Sequence, residues 1–199
     1  MVVKMRIHSF TPSTFVNGPG NRAMIHFQGC TLACPGCFNS LTHSKNGGEE
    51  ISVNDLITRI PLTVDGVTIS GGEPFLQPEG LLELVIALRN QYDSIVIFSG
   101  FYLNEIQRIP LGPEILKHVD VLIDGRFEMD KIAEDGLRGS KNQTIHLLTD
   151  HHRLEEFQER NVEITIDVEG KLTITGFPTM DFRQGIDNEF SQTRDFIHE

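Results

Sequence analysis

Outside one eight-residue stretch, the 199-residue chain contains no cysteine. It also has no apolar run of about 18 residues, so no membrane-spanning helix is predicted. Its opening residues, MVVKMRIHSF, lack the apolar core and small-residue cleavage site of a secretory signal. A cytoplasmic protein with no membrane partner is expected. Basic residues are scarce: 17 Lys and Arg stand against 28 Asp and Glu, a net charge of −11. That balance argues against general nucleic-acid binding while leaving room for a local basic patch. There is no internal repeat and no low-complexity tract. The length fits one domain with a short appendage, and an apolar share of 39% is ordinary for a globular chain.

The three cysteines that are present stand as Cys30-Thr-Leu-Ala-Cys34-Pro-Gly-Cys37. In a cytoplasmic chain, clustered cysteines read as metal or catalytic ligands rather than disulfides. An odd number with none elsewhere to pair with points the same way. Thiolates bind iron and zinc well, and Pro35-Gly36 suits a tightly curved loop that presents three sulfurs to one face. A cubane iron–sulfur cluster usually takes four cysteines, so here one iron would be left for another ligand. The competing reading is structural zinc held by the three cysteines with His26 or His43. Zinc more commonly uses two separated knuckles, so the spacing favours the cluster. Unligated buried cysteines are the remaining alternative.

Along the chain, short apolar runs alternate with helical patterns. Strands are predicted at 23–28, 66–70, 94–99, 120–124 and 144–148. Ser52 offers an N-cap for a helix through about Ile60. Leu81, Leu82, Leu84, Val85 and Leu88 recur at helical spacing within 78–90, and shorter helices are predicted at 103–109 and 113–118. This alternation implies crossover units and a mostly parallel α/β sheet. Candidate sites then gather at strand C-terminal ends, where chemistry collects in barrel-like α/β folds: residues 28–30, 70–73, 99–100 and 124–126. Beyond about residue 149 the pattern changes. Residues 152–160 read as helical, 162–168 and 171–175 as a hairpin around Glu169-Gly170, and the polar tail from Phe177 is expected to be mobile.

Beyond the cysteines, several ordered segments carry a family resemblance. Val16-Asn17-Gly18-Pro19-Gly20-Asn21-Arg22 precedes the cysteine loop. Ser70-Gly71-Gly72-Glu73-Pro74 follows it, then Val121-Leu122-Ile123-Asp124-Gly125-Arg126-Phe127 and Leu137-Arg138-Gly139-Ser140-Lys141-Asn142-Gln143. With the C-x3-C-x2-C spacing, these resemble the radical S-adenosylmethionine (SAM) enzymes, and among them the activating proteins of anaerobic ribonucleotide reductase, over about residues 6–148. Arg6–Phe10 and the Gly-Gly-Glu-Pro form are also similar to pyruvate formate-lyase activase. Many radical SAM enzymes place an aromatic before the third cysteine. Here Gly36 stands there and Phe38 follows, a Pro-Gly-Cys-aromatic-Asn pattern shared by the ribonucleotide reductase activases.

The resemblance implies a partial (β/α) barrel over residues 1–149 and a C-terminal helix and hairpin extension over 150–199. It implies that Cys30, Cys34 and Cys37 hold three irons of a 4Fe–4S cluster, with SAM chelating the fourth. One-electron cleavage of SAM then gives a 5′-deoxyadenosyl radical that takes hydrogen from a glycine of the partner. Gly71, Gly72, Glu73 and Pro74 are expected around the methionine amino group, with Ser99, Asp124, Arg126 and Asn142 completing the cofactor set. A plain strand-ending turn at Gly71-Gly72 and a surface ion pair at Arg126 are the bland alternatives. Arg138, Ser140 and Gln143 belong to the cofactor- or partner-facing rim. Asn17 and Arg22 match the family's loop below the cluster, or form a simple turn with Gly18-Pro19-Gly20. His8, His146 and His151-His152 carry no assigned role. The expected partners are the large subunit of anaerobic ribonucleotide reductase and an electron donor such as flavodoxin. Alternatives are pyruvate formate-lyase or another glycyl-radical enzyme, a small-molecule substrate as in 7-carboxy-7-deazaguanine synthase, or a non-catalytic zinc or iron–sulfur module.

Overall fold

The six residues Arg22–Phe27 are buried without a break. A strand covered on both faces belongs at the centre of a sheet with layers on each side. In the computed structural model, which describes residues 3–166, 168, 172–179, 181–182, 185 and 197–198, it is the second strand of a seven-stranded sheet. The elements in chain order are β1 (Lys4–Thr14), β2 (Arg22–Phe27), β3 (Glu49–Ser52), α1 (Val53–Arg59), β4 (Gly66–Gly71), α2 (Pro78–Arg89), β5 (Ile95–Ser99), α3 (Leu103–Ile106), α4 (Gly112–Leu116), β6 (Val121–Asp124) and β7 (Thr144–Leu147). The spatial order is β3-β1-β2-β4-β5-β6-β7. Strands β2, β4, β5 and β6 run parallel. At the edges, β1 pairs antiparallel with β2 and β3, and β7 with β6. The expected α/β architecture with a parallel centre is therefore present.

Side chains alternate across these strands and feed two cores. Ala23, Ile25, Phe27, Val67, Ile69, Ile95, Ile97 and Leu122 join the helix side, where α2 contributes Leu81, Leu84, Val85 and Leu88. Each of those leucines is fully buried, worth roughly 2 kcal/mol of transfer free energy. Ser52 caps α1 as its side chain accepts from Asp55 N at 3.1 Å, satisfying a donor that has no partner within the helix. On the inner face, Val96, Val121, Ile123, Leu137 and Phe157 form a second core, joined by Phe98, Ile145 and Phe177.

Three expectations require correction. β1 and β3 were not expected as strands. Polar residues and Pro12 interrupt β1, while β3 is only four residues long, and both are recruited by antiparallel edge pairing rather than by strong local alternation. The predicted helix at 152–160 is a single 3-10 turn, Leu154–Phe157. Phe157 is its one buried residue, and a lone apolar anchor does not make the stripe that stabilises a longer helix. The tail expected from Phe177 begins inside the second core. Beyond it, β8 (Val162–Ile166) and β9 (Leu172–Gly176) form the expected antiparallel pair, and β10 (Ile197–His198) lies parallel to β9. The expected turn at Glu169-Gly170 and most of the tail past Thr179 lie outside the described residues. Among the described residues, no helix is long and apolar enough to cross a membrane.

Candidate metal and cofactor site

The cysteine loop leaves β2 at its C-terminal end and is held by the segment that returns beneath it. Gly29 N donates to Thr42 O at 2.7 Å and Cys30 N to His43 O at 3.1 Å. Gln28 fastens that return by donating to Ser44 O at 2.6 Å. Cys37 N closes a turn onto Cys34 O at 3.2 Å. Gly36 sits at φ +70°, and a Cβ there would lie 2.5 Å from Met129 Sδ. The left-handed backbone at Gly36 thus disfavours the aromatic common at this position elsewhere. Phe38 supplies the ring instead, 4.7 Å from that of Phe127.

Cys30, Cys34 and Cys37 are half-buried, none is in a disulfide, and all three line one cavity. Burial pushes the Cys30 thiol up from its ordinary pKa, so a bound metal, which favours thiolate, would be needed to deprotonate it at neutral pH. Among the described residues, no three His, Cys, Asp or Glu side chains converge tightly enough to hold a single ion. The three cysteines share one cavity, an arrangement that a cluster held by three thiolates can use, and His26 lines the same cavity.

Gly71, Gly72 and Ser99 face the same cavity. The two glycines also meet a packing requirement. Gly71 has φ +105° and a Cβ there would lie 2.4 Å from Phe27 N; one on Gly72 would lie 2.4 Å from Gly29 O. Their backbones dock onto the start of the cysteine loop, with Gly72 N donating to Phe27 O at 2.8 Å and Glu73 N to Gly29 O at 2.9 Å. Close docking and cavity lining thus come from the same pair of residues.

Glu73 and Pro74 stand behind this wall rather than in it. Glu73 is fully buried and accepts from Ser99 Oγ (2.9 Å), Gly100 N (2.7 Å) and Phe75 N (3.1 Å). Burial pushes its carboxyl up to about 7 against those donors. Its role in this geometry is to tie the Gly-Gly turn to the end of β5. Asp124 also points away from the cavity, accepting from Leu103 N at 2.5 Å and lying 3.1 Å from His146 Nε2. Arg126 is clamped at the rim by both carboxylate oxygens of Glu105, with Nη2 2.9 Å from Oε1, and its guanidinium lies over the Tyr102 ring at 5.0 Å. Asn142 donates to Arg126 O at 2.8 Å. Gln143 lines the cavity and braces the adjoining loop, donating to Gly125 O at 2.9 Å and accepting from Gly139 N at 2.7 Å.

Two lining residues were named from sequence in other connections: His26, which projects inward from β2, as a candidate zinc ligand, and Phe127, which follows β6, within a family motif. Met24 of β2, Phe98 of β5 and Gly176 and Phe177 of the extension were not assigned to a site. The inward positions of β2 and β5 follow from strand alternation once the direction of burial is known. Nothing local in the sequence signals that Phe177 folds back onto the cavity.

The sulfur trio, its position at the parallel strand ends and the ordered motifs agree with comparison to known proteins. A family model described as a 4Fe-4S single cluster domain matches residues 16–146. The anaerobic ribonucleoside-triphosphate reductase-activating protein of Escherichia coli K12 is 34% identical over 159 residues, covering 72% of this chain and 99% of that protein. The chain belongs to this activating-protein family. The Pasteurella multocida relative of the same name is 36% identical over 162 residues, covering 74% of this chain and 100% of that one. That of Enterobacteria phage T4 is 32% identical over 148 residues, covering 70% and 92%. The crystal structure of QueE from Escherichia coli overlaps with a TM-score of 0.41 and 23% identity, over 49% of this chain and 52% of that one. That overlap is too partial to define the architecture.

Proposed function

We propose that this activating protein cleaves SAM reductively at a 4Fe–4S cluster and installs a glycyl radical on anaerobic ribonucleoside-triphosphate reductase. The observation that carries this reading is the single cavity, at the C-terminal ends of parallel strands, lined by all three cysteines together with Gly71, Gly72 and Ser99. When bound, the cluster and SAM supply a one-electron cleavage whose radical product can take hydrogen from a glycine.

The chain's own residues prepare the place. Cys30, Cys34 and Cys37 would hold three irons, leaving the fourth for SAM. Gly71 and Gly72 offer a close-lying backbone to the methionine ammonium. Glu73 sets a negative charge or a hydrogen-bonded carboxyl directly behind that backbone, and Pro74 turns the chain away. Ser99 carries the next strand end to the cavity. Arg126 and Asn142 complete the proposed set at the rim, where Arg126 would exchange Glu105 for a ligand carboxylate, while Asp124 supports that strand end from the helix side through Leu103 N. The sheet, parallel at its centre, is read as a partial (β/α) barrel spanning residues 1–149, with 150–199 as its extension. A flavodoxin-type donor and a cytoplasmic setting complete the proposal.

Anaerobic reconstitution with iron and sulfide tests it. About four irons per chain are expected, with a reduced-state magnetic spectrum that changes when SAM is added and a glycyl-radical doublet on the reductase large subunit. One zinc per chain and no response to SAM would overturn the reading.

A further inference from the structure

The extension supplies one wall of the cavity that holds the cysteines. Gly176 and Phe177 line it, although the family match ends at residue 146. This wall is firmly fastened. Phe177 N donates to Asn161 O at 3.1 Å, and Arg160 Nε donates to Phe177 O at 2.8 Å. The Arg160 guanidinium lies 5.5 Å from the Phe177 ring centre. Gly176 adopts φ +103°, and a Cβ there would press within 2.4 Å of Asn161 O. The chain can therefore turn at this point only through a glycine. Across the gap, Asn17 Nδ2 donates to Thr175 Oγ1 at 2.9 Å, pinning the hairpin to the loop before β2. The Phe177 ring meets Phe98 of β5 at 5.8 Å. The hairpin thus spans the inner face of the sheet from the β1–β2 loop to β5.

We propose that Phe177 is a positioning residue for the radical step: its ring closes this side of the cavity against solvent. The inference rests on the proposed activase reading. A reactive radical is spent on water-borne reductants or neighbouring groups unless its surroundings are closed, and Phe177 extends the apolar surface that Phe98 of β5 begins. Gly176 cannot carry a side chain, so the ring at 177 is the closure available at that turn.

Two measurements test it, comparing Phe177→Ala and Phe177→Leu with the exposed hairpin control Ile166→Ser. In the cluster-free chain, Phe177→Ala should raise the rate at which a bulky maleimide labels the three cysteines. Small iodoacetamide should be little affected, and Phe177→Leu should fall between. In the reconstituted protein, 5′-deoxyadenosine formed per glycyl radical should rise roughly tenfold for Phe177→Ala, as expected for lost positioning, with Ile166→Ser matching wild type. Labelling rates and product ratio both unchanged in Phe177→Ala would overturn the inference. If Phe177→Ala does not fold, an unchanged Phe177→Leu has the same force. Wild-type protein that forms no glycyl radical would instead defeat the activase reading, leaving the labelling result to judge the wall.

Discussion

At the N-terminal end of the parallel strands, Arg22 is fully buried and all five of its N–H groups have partners: Thr68 Oγ1, Ser94 Oγ and the carbonyls of Pro19, Val67 and Ser94. At the C-terminal end of the same strands, three thiols stand half-exposed around a cavity. Both ends are built from segments that resemble one family, yet one is fully buried and hydrogen-bonded while the other faces a cavity. The contrast separates motif residues that hold the sheet from those that face a ligand. Val16–Arg22 belongs largely to the first kind. Gly18 and Gly20 have positive φ, and side chains there would strike Arg22 and Asp65. The loop is a clamp for a buried guanidinium.

The contrast would break if the two ends responded alike to substitution. The largest effect is expected at the open end. Replacing any one of Cys30, Cys34 or Cys37 by serine should lower radical formation by roughly a thousandfold or more, because the cofactor carries the difficult step. Urea unfolding of the cluster-free chain should barely move. A cysteine variant that loses activity and also unfolds at much lower urea would erase the distinction.

At the closed end the signs reverse. Arg22→Met should cost on the order of 3 kcal/mol or more in unfolding free energy, since it removes all five of the guanidinium's hydrogen bonds from a buried site. Burial already pushes the guanidinium down to about 10, a measure of how little solvent reaches it. Iron content per folded chain should stay at the wild-type value. A stable Arg22→Met protein that cannot bind its cluster would place Arg22 in the functional machinery instead.

Two buried groups near the cavity sharpen the comparison through pH. Burial pushes His26 down to about 4 from 6.5 and Glu73 up to about 7 from 4.5. The buried His26 is neutral when folded, so its contribution to stability is complete above pH 6.5 and is lost as pH falls towards 4. Glu73 holds its proton when folded, so its contribution is complete below pH 4.5 and is lost as pH rises through 7. Each shift corresponds to about 3 kcal/mol. Between pH 4.5 and 6.5 the two oppose each other. Glu73→Gln should therefore leave a metal-free chain that gains stability as pH rises across this window, and His26→Gln one that loses it. Equally flat profiles for both variants in urea titrations would contradict the assignment.

Much of this was legible in the sequence, for identifiable reasons. The central strands are short apolar runs with a glycine at or just past their ends, α2 has its leucines at helical spacing, and three cysteines in eight residues have few uses. What escaped depended on long-range packing. β1 and β3 become strands by edge pairing. The stretch around Phe157 stays one turn long because it has a single buried anchor. Asp124 was placed correctly at a strand end, but alternation turns it to the helix side, where it meets Leu103 N. Reading the face required knowing that Ile123, not Leu122, lies on the inner side.

Asn17 is the residue on which the two ends meet, and it gives the smallest expected effect. It lies within the Val16–Arg22 clamp, its carbonyl accepts from Thr68 Oγ1 at 2.8 Å, and its side chain reaches Thr175 across the cavity. Asn17→Ala keeps the carbonyl and loses only the link to the hairpin, so it should cost about 1 kcal/mol. Thr175→Val should cost a similar amount. In a double-mutant cycle the pair should recover most of one of those losses, because each single change leaves the other polar group stranded. Additive costs would mean that the side chains do not share a bond in solution. The hairpin would then be held by Arg160 and Phe177, and Asn17 would be left as a cavity-lining donor whose loss should register in SAM affinity rather than in stability.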